Sequence, residues 1–477
     1  MAMAKPTVVL LPVWASGHFM PALEAAKRLV AALGADLFSL TVLVMRPPTP
    51  DSASERVPPP VARESSSHGA TGVEVAFVHL PHVDPPTDCA TVEEFTSRYI
   101  RLHAPRVRAA VSPRAAALVV EFTSTDIFDV ARELGLPAYV YFASSAAMLA
   151  LMLRLPALHH EMPTEFGEMD GGHYVRVPGL PPVPASFMPA SVMSKKSPSY
   201  GDTLYHGGRL VDAAGIIVNT AVELEPAGGA AIAEGQCTPG RPAPPLYPIG
   251  PVISSAGAQS DGNHECIRWL DAQPQASVVL LCFGSLGFLG AAQVREAATA
   301  LERSEHRFLW VLRTSPAAGA DHLDGILPEG FLDRTAAAGG LVWPLWAPQR
   351  EILAHAAVGG FVTHCGWNSV LEAVWSGVPM APWPLYAEQH LNAFELVAAM
   401  GVAVRMEVDR KRSNFVEARE LEHAVRCLME EEEEEGRRAR RRAAEAMAAC
   451  RKAVDAGGSS DASLHSVAAR MRNDTKW

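Results

Sequence analysis

A chain of 477 residues is long enough for two or more domains of about 100–200 residues each, and 48% hydrophobic with 19% charged residues is a globular balance that excludes disordered and fibrous classes. The formal net charge of −11 argues against a nucleic-acid partner, because a phosphate-binding face needs a basic excess. Seven cysteines (Cys89, Cys237, Cys266, Cys282, Cys365, Cys427 and Cys450) are odd in number, scattered and without CxxC spacing, which reads as the reduced thiols of a cytoplasmic protein and gives neither a disulfide framework nor a metal site.

The start, MAMAKPTVVLLPVWASGH, has one lysine and a short apolar run that stops at Pro12, so a first buried strand over Thr7–Leu11 is expected rather than a signal peptide. The turn Val13–Gly17 leads to a helix from about Met20 to Leu33, then a strand over Phe38–Met45. Arg46–Gly72, rich in proline, serine and charge, reads as a mobile loop. Val73–Leu80, Ala116–Val120 and Ala138–Phe142 read as further strands, with helices over Val92–Ala110 and Asp126–Leu134 between them. This alternation predicts a doubly wound parallel sheet. Ala143–Pro156 follows as an apolar helix, Pro178–Pro189 as a proline-rich loop, and Ile216–Asn219 as the last strand of this half.

The breaker-rich segment Cys237–Asn263 is the expected linker, placing one domain at 1–245 and a second at 246–459. The second half restarts the same pattern, with strands over Ser277–Phe283, Phe308–Leu312 and Gly340–Pro344 and a helix over Ala291–Arg303. Arg437, Arg438, Arg440, Arg441 and Arg442 follow the acidic run Glu430–Glu435, so the two charges are expected to compensate along a solvated helix. Nowhere is there a run of about 20 apolar residues that would span a membrane.

The most informative stretch is Trp346 to Gln389. Val358–Thr363 is a buried-strand pattern, His364-Cys365-Gly366-Trp367-Asn368-Ser369 a sharp turn, and Val370, Leu371, Val374 and Trp375 a helical face stopped by Gly377 and Pro379. A strand feeding a glycine turn into a helix aims N–H groups and the positive end of the helix dipole at the strand's carboxyl edge, where phosphate binds in open α/β sheets. Such a turn also occurs as ordinary punctuation between strand and helix. Its flanks add an indole face at Trp346, a carboxylate at Glu372 and the hydrogen-bonding pair Glu388-Gln389. Gly284, Gly287 and Gly290 are spaced GxxGxxG without a GxG core, so NAD binding is not expected.

Along its whole length this stretch resembles the signature box of plant secondary-product glycosyltransferases, which move sugar from a UDP-sugar to small acceptors. From His18 through EQHLNAF to the C-terminal GGSSDASL, the chain resembles the branch that glycosylates flavonoids and related phenols. The resemblance implies the α/β fold called GT-B: two Rossmann-like doubly wound parallel-sheet domains facing a cleft, with a C-terminal helix at 460–477 packing back on the first domain. It implies inverting transfer of glucose from UDP-glucose to a phenolic acceptor, with no cofactor and no metal, by a protein expected to be a monomer. His18, just after the first strand, takes the place of the family's base, and an imidazole suits that work near neutral pH.

The family orients this base with an aspartate, where the chain has Glu121 in Val119-Val120-Glu121-Phe122. Glutamate keeps the charge but adds a methylene, so the pair is expected either to persist or to be rewired, with Asp126 reading as a helix N-cap. For the donor, the resemblance assigns Ser285, His364, Asn368 and Ser369 to the diphosphate. Trp346, Ala347, Gln349 and Glu372 fall to the nucleoside, and Trp367, Glu388 and Gln389 to the sugar. A terminal glutamine goes with glucose in that family. Phe19, Phe122, Met148, Met152, Phe187, Met188 and Tyr386 are the apolar candidates for an acceptor pocket built mainly by the first domain, each equally readable as core. Two rival readings stay open: a UDP-sugar-binding protein whose base is weakened by Glu121, and a transferase that forms carbon–glycosyl bonds.

Overall fold

Buried runs such as Thr7-Val8-Val9-Leu10-Leu11 and Val278-Val279-Leu280-Leu281-Cys282 have no polar face to show water, and so form the central strands of parallel sheets covered on both sides. The computed structural model describes residues 5–46, 72–169, 172–253, 264–313 and 323–474. In chain order the described strands are β1 (Thr7–Leu11), β2 (Ser39–Val44), β3 (Val75–His79), β4 (Ala115–Glu121), β5 (Ala138–Phe142), β6 (Tyr174–Val175), β7 (Val183–Pro184), β8 (Gly215–Val218) and β9 (Leu246–Pro248). There follow β10 (Val278–Cys282), β11 (Arg307–Val311), β12 (Gly340–Trp343), β13 (Val358–Thr363) and β14 (Met380–Pro382). The chain divides into two units, the first holding Met1–Pro182, Ser191–Ser254 and Lys452–Trp477, the second Val183–Ala190 and Ser255–Arg451.

Unit 1 is built on a seven-stranded sheet in the order β3-β2-β1-β4-β5-β8-β9, parallel throughout. The order reverses between β1 and β4, and that crevice at the carboxyl ends is where such sheets bind ligands. The helix Ser16–Gly34 covers one face, turning Phe19, Leu23, Ala26, Val30 and Leu33 inward at helical spacing. The C-terminal helix Ser459–Asp474 adds Val467, Ala468 and Met471 to the same core, and Arg472 donates to the Leu33 carbonyl at 2.6 Å. Burying a valine and a methionine of this kind stabilises the return by about 1.5–3 kcal/mol each.

Unit 2 carries a five-stranded parallel sheet in the order β12-β11-β10-β13-β14. Its reversal falls between β10 and β13. Phe283, Trp310, Val362 and Trp383 fill its core with helix residues such as Val294, Leu301, Leu421 and Val425.

Three expectations are corrected. The first half does not end at Ile216–Asn219: β9 pairs parallel beside β8, so residues 246–253 belong to unit 1. Pro248, one of the prolines that suggested a linker, ends this edge strand, where a missing N–H is tolerated. Of that linker, 254–263 lies outside the described residues, as does 47–71 of the expected loop. The return to unit 1 begins at Lys452, ahead of 460, and positions 475–477 are likewise outside the described residues. Finally, the helix Glu434–Val454 starts inside the acidic run and exposes Arg437, Arg438, Arg441 and Arg442 as expected. Arg441 and Arg442, however, pair with Glu445 (3.9 and 2.7 Å) rather than with that run, and Arg440 donates to the Leu428 and Glu430 carbonyls (2.6 and 2.9 Å), capping the preceding helix Ala418–Met429. Among the described residues no helix is long and apolar enough to cross a membrane.

Candidate active site

In unit 1 the residues at the switch point are Glu121, which ends β4, and the turn after β1. Leu11 is in register with Val120, so Glu121 emerges beside the chain leaving β1. That chain enters its helix at once, with Ala15 as N-cap, and His18 falls in the first turn with its N–H on the Ala15 carbonyl at 2.9 Å. Both Glu121 oxygens are engaged: Oε1 accepts the Val13 N–H at 2.9 Å, and Oε2 lies 2.6 Å from His18 Nδ1. The added methylene is thus spent reaching two partners at once. The His18 side chain is 42% exposed and that of Glu121 only 1%. A buried carboxylate of this sort holds the proton on Nδ1, which makes Nε2 the basic nitrogen of the ring. Tyr141 lies in register with Glu121 on β5; burial first, then the Glu121 charge, raise its phenol well above the usual range.

Asp126 neither caps a helix nor replaces Glu121. A 3-10 turn over Phe122–Ile127 precedes the helix Phe128–Glu133, and the Asp126 carboxylate accepts from the Tyr205 hydroxyl at 2.7 Å and pairs with Arg101 at 3.2 Å.

In unit 2, β13 delivers Thr363 to the turn, and Cys365 takes a left-handed φ of 66° that the surrounding hydrogen bonds hold in place. Thr363 Oγ1 accepts the Cys365 N–H at 3.2 Å, and the buried Asn392 amide donates to the Cys365 carbonyl at 2.9 Å. Such backbone strain is kept at sites where the surroundings over-determine it. The helix Trp367–Ser376 then starts at Gly366 and ends on left-handed Gly377.

The His364 ring is wedged between two glycines: a Cβ on Gly284 or Gly366 would come within 2.7 or 2.5 Å of its Nε2. Burial pushes the imidazole down to about 4, partly offset by a hydrogen bond with the Cys282 carbonyl, and its enclosed Nδ1 has no hydrogen-bond partner. Gly366→Ala is expected to displace the ring and weaken UDP binding by about 10–100-fold, read by calorimetric titration; unchanged affinity would dismiss this role for the wedge.

The residues assigned to a nucleoside meet in one cluster. Gln349 Nε2 donates to Ser369 Oγ at 2.9 Å and to Glu372 Oε2 at 2.7 Å. Burial raises the Glu372 carboxyl, while the Gln349 hydrogen bond draws it back down. Trp346 stands 57% exposed, an open indole face, with the buried Ala347 beside it. Ser285, after β10, is exposed, and its carbonyl accepts from Arg313. Asn368 is half-buried in the first turn of the helix. Glu388 is half-buried, and the buried Gln389 places Oε1 on the N–H groups of Leu385 (2.8 Å) and Tyr386 (3.0 Å). These two bonds are made by Oε1 and not by the NH2 end of the side chain.

Several assignments change. The Trp367 side chain is buried rather than open, at the start of the helix. Phe19, Met152 and Met188 are also fully enclosed and belong to the packing, not to a pocket wall. Phe187 and Met188 lie in unit 2 rather than in the first domain, with Phe187 5.6 Å from Phe394. Phe122, 5.3 Å from Phe142 and half-buried, keeps surface in unit 1, and Met148 is nearly covered. Tyr386 is half-buried, 6.4 Å from His364. Sequence reasoning did not find Arg313, Asn392 or Arg410, which act on backbone carbonyls far along the chain and leave no spacing signal.

His206, His364 and His390 are each lowered to about 4, chiefly by burial. Above about 6.5 both folded and unfolded forms are neutral. Below it the unfolded chain takes up protons that the native chain refuses, so stability falls as pH drops towards 4. The melting temperature is expected to be lower at pH 5.5 than at 7.5, where carboxylates are still ionised; an equal or higher value would contradict it.

A family model described as "UDP-glucoronosyl and UDP-glucosyl transferase" matches residues 246–435. The malvidin galactosylase UGT88C3 of Oryza sativa subsp. japonica is 56% identical over 470 residues, 96% of each chain. The phloretin 2'-O-glucosyltransferase of Pyrus communis is 40% identical across 87% of this chain and 89% of its own. The solved structure of apo UGT2 from Phytolacca americana matches with a TM-score of 0.84 at 34% identity, covering 98% of this chain and 100% of that one. Fold and relatives together define a glycosyltransferase of the GT-B class. The chain belongs to the plant UDP-glycosyltransferases of family 1, whose members draw on UDP-sugars as donors.

Proposed function

We propose that the protein is an inverting UDP-glucose-dependent transferase that forms β-O-glucosides of small phenolic acceptors, flavonoids first among them. The observation that carries the reading is the 2.6 Å contact between His18 Nδ1 and the buried Glu121. Nε2 of His18 removes the phenol proton as the acceptor oxygen bonds to the anomeric carbon. The bond from that carbon to the diphosphate breaks, UDP leaves, and the configuration inverts. Charge on the departing diphosphate is met by Ser285, His364, Asn368, Ser369 and the helix start at Trp367, with no metal and no cofactor. Trp346 stacks on uracil, Gln349 and Glu372 take the ribose, and Glu388 and Gln389 hold the sugar hydroxyls. Phe122 in unit 1 and Tyr386 in unit 2, both half-buried, are the acceptor candidates that exposure supports.

The phloretin glucosyltransferase and malvidin galactosylase among the relatives support a flavonoid acceptor. The latter also favours a second reading, UDP-galactose as the donor. We further propose a cytoplasmic monomer; all seven cysteines lie outside disulfides, as a reducing compartment requires.

The test is separate incubation with UDP-glucose and with UDP-galactose over a flavonoid panel that includes phloretin and malvidin. Glucosides and galactosides share a mass, so the donors must not be mixed. Products that survive acid hydrolysis would mark carbon–glycosyl bonds. UDP-sugar binding without turnover on any phenol would replace the enzyme reading with the binding-protein one.

A further inference from the structure

Between Pro182 and Ser191 the chain leaves unit 1, and the eight residues Val183–Ala190 belong to unit 2. This strap carries β7 and a 3-10 turn over Ala185–Phe187. Arg410, Phe394 and Ala387 tie it to the rest of unit 2. Arg410 Nη1 donates to the carbonyls of Ser186 and Met188, both at 2.7 Å. Phe187 packs on Phe394 of the helix Gln389–Ala398. The Ala190 N–H donates to the Ala387 carbonyl at 2.8 Å.

The last contact falls on a corner that everything nearby conspires to hold still. Ala387 is left-handed at φ 51°, a conformation that costs a residue with a Cβ about 1 kcal/mol or more. Its neighbours are fixed atom by atom: Gln389 Oε1 holds the Leu385 and Tyr386 N–H groups, and Asn414 Nδ2 donates to the Leu385 carbonyl at 2.7 Å. Asn414 is in turn bonded to His390 Nε2 at 2.9 Å. Glu388 and Gln389 follow Ala387 directly. Among the described residues no carboxylate pairs with the half-buried Arg410, and its guanidinium meets the carbonyl dipoles of the strap instead. Taking a cation partly out of water without a counter-ion is costly, and what Arg410 secures in return is the strap's position.

We propose that Arg410 is a positioning residue, and that with the strap it sets the affinity for the sugar half of the donor while leaving the UDP half alone. The inference rests on the assignment of Glu388 and Gln389 to the sugar. With the strap released, the left-handed corner relaxes, and a shift of about 1 Å in such a pair weakens what it holds by one to two orders of magnitude. The turn His364–Ser369 and the Gln349–Glu372 cluster, which meet the UDP half, make none of the strap's hydrogen bonds.

The experiment is calorimetric titration of the full chain with UDP and with UDP-glucose, without acceptor, for the wild type, Arg410→Ala, Gln389→Ala and the double variant. Arg410→Ala is expected to weaken UDP-glucose about tenfold or more and UDP by less than about twofold. Its effect should be non-additive with that of Gln389→Ala, because both act through one corner. Phe187→Ala loosens the strap from the other side and should show the same split, which keeps the test open if Arg410→Ala fails to fold. If Gln389→Ala spares UDP-glucose, the sugar assignment fails and the proposal falls with it. If Gln389→Ala shows the split while the Arg410 and Phe187 variants weaken both ligands equally, or neither, or add independently, the strap proposal alone is overturned.

Discussion

Replacing His18 with alanine is expected to lower kcat by about three orders of magnitude while leaving the dissociation constant for UDP within about twofold. A positioned general base contributes typically about 10²–10⁴-fold. The effect is placed in that range because a phenol with a pKa of about 10 is almost wholly protonated at neutral pH and is then a weak nucleophile. UDP is spared because the residues assigned to it belong to unit 2, at the turn after β13 and its neighbours, whereas His18 belongs to unit 1. His18→Gln retains polarity and volume but not basicity, and should fall as far. A loss smaller than about tenfold would mean that water or the acceptor's own ionisation supplies the proton step, and the base would have to be sought elsewhere.

What was legible in the sequence was whatever local pattern determines. The uninterrupted apolar runs gave the central strands to within a residue or two, because buried parallel strands have no other way to be written. The turn His364–Ser369, its helix and the Gly377 stop were legible for the same reason. Patterns at short range fail where a long-range partner decides. Leu246–Pro248 reads as linker because prolines break most structure, yet an edge strand tolerates them. Phe19 and Met152 are apolar in a promising neighbourhood, but only the packed structure shows that one faces the unit 1 core and the other is wholly enclosed. The helix Pro198–Arg209, whose buried His206 bonds Ser97 and Thr125, sits among glycines and polar residues that hide its period. The strap is the extreme case. Its partner Arg410 lies more than two hundred residues away and grips carbonyls, which every residue has.

The Glu121 series carries the sharpest expectation, because here the sequence left two outcomes open. The carboxylate has two jobs, one for each oxygen. Glu121→Gln keeps an oxygen for the Val13 N–H but turns an NH2 group towards His18 Nδ1. Two donors cannot face each other, so the imidazole must carry its proton on Nε2, where the acceptor needs a lone pair. A loss in kcat of about 10³–10⁴-fold is expected, of the size seen when a triad's acid is made an amide. Glu121→Ala removes both contacts and leaves the buried Val13 N–H without an acceptor, so about 1–3 kcal/mol of stability should go with the activity. Glu121→Asp tests reach rather than charge. If it restores most of the Gln variant's lost rate, the carboxylate acts by fixing the tautomer, and the shorter side chain is compensated by a small shift of the turn at Val13. If Asp is as slow as Gln while its melting temperature matches the wild type, then the length of the glutamate is what aligns His18. Were Ala to retain full turnover, Glu121 would be a structural residue holding the turn after β1, and the base would work without an orienting partner. Turnover is measured at saturating donor and acceptor with thermal melts alongside, so that a folding defect is not counted as a chemical one.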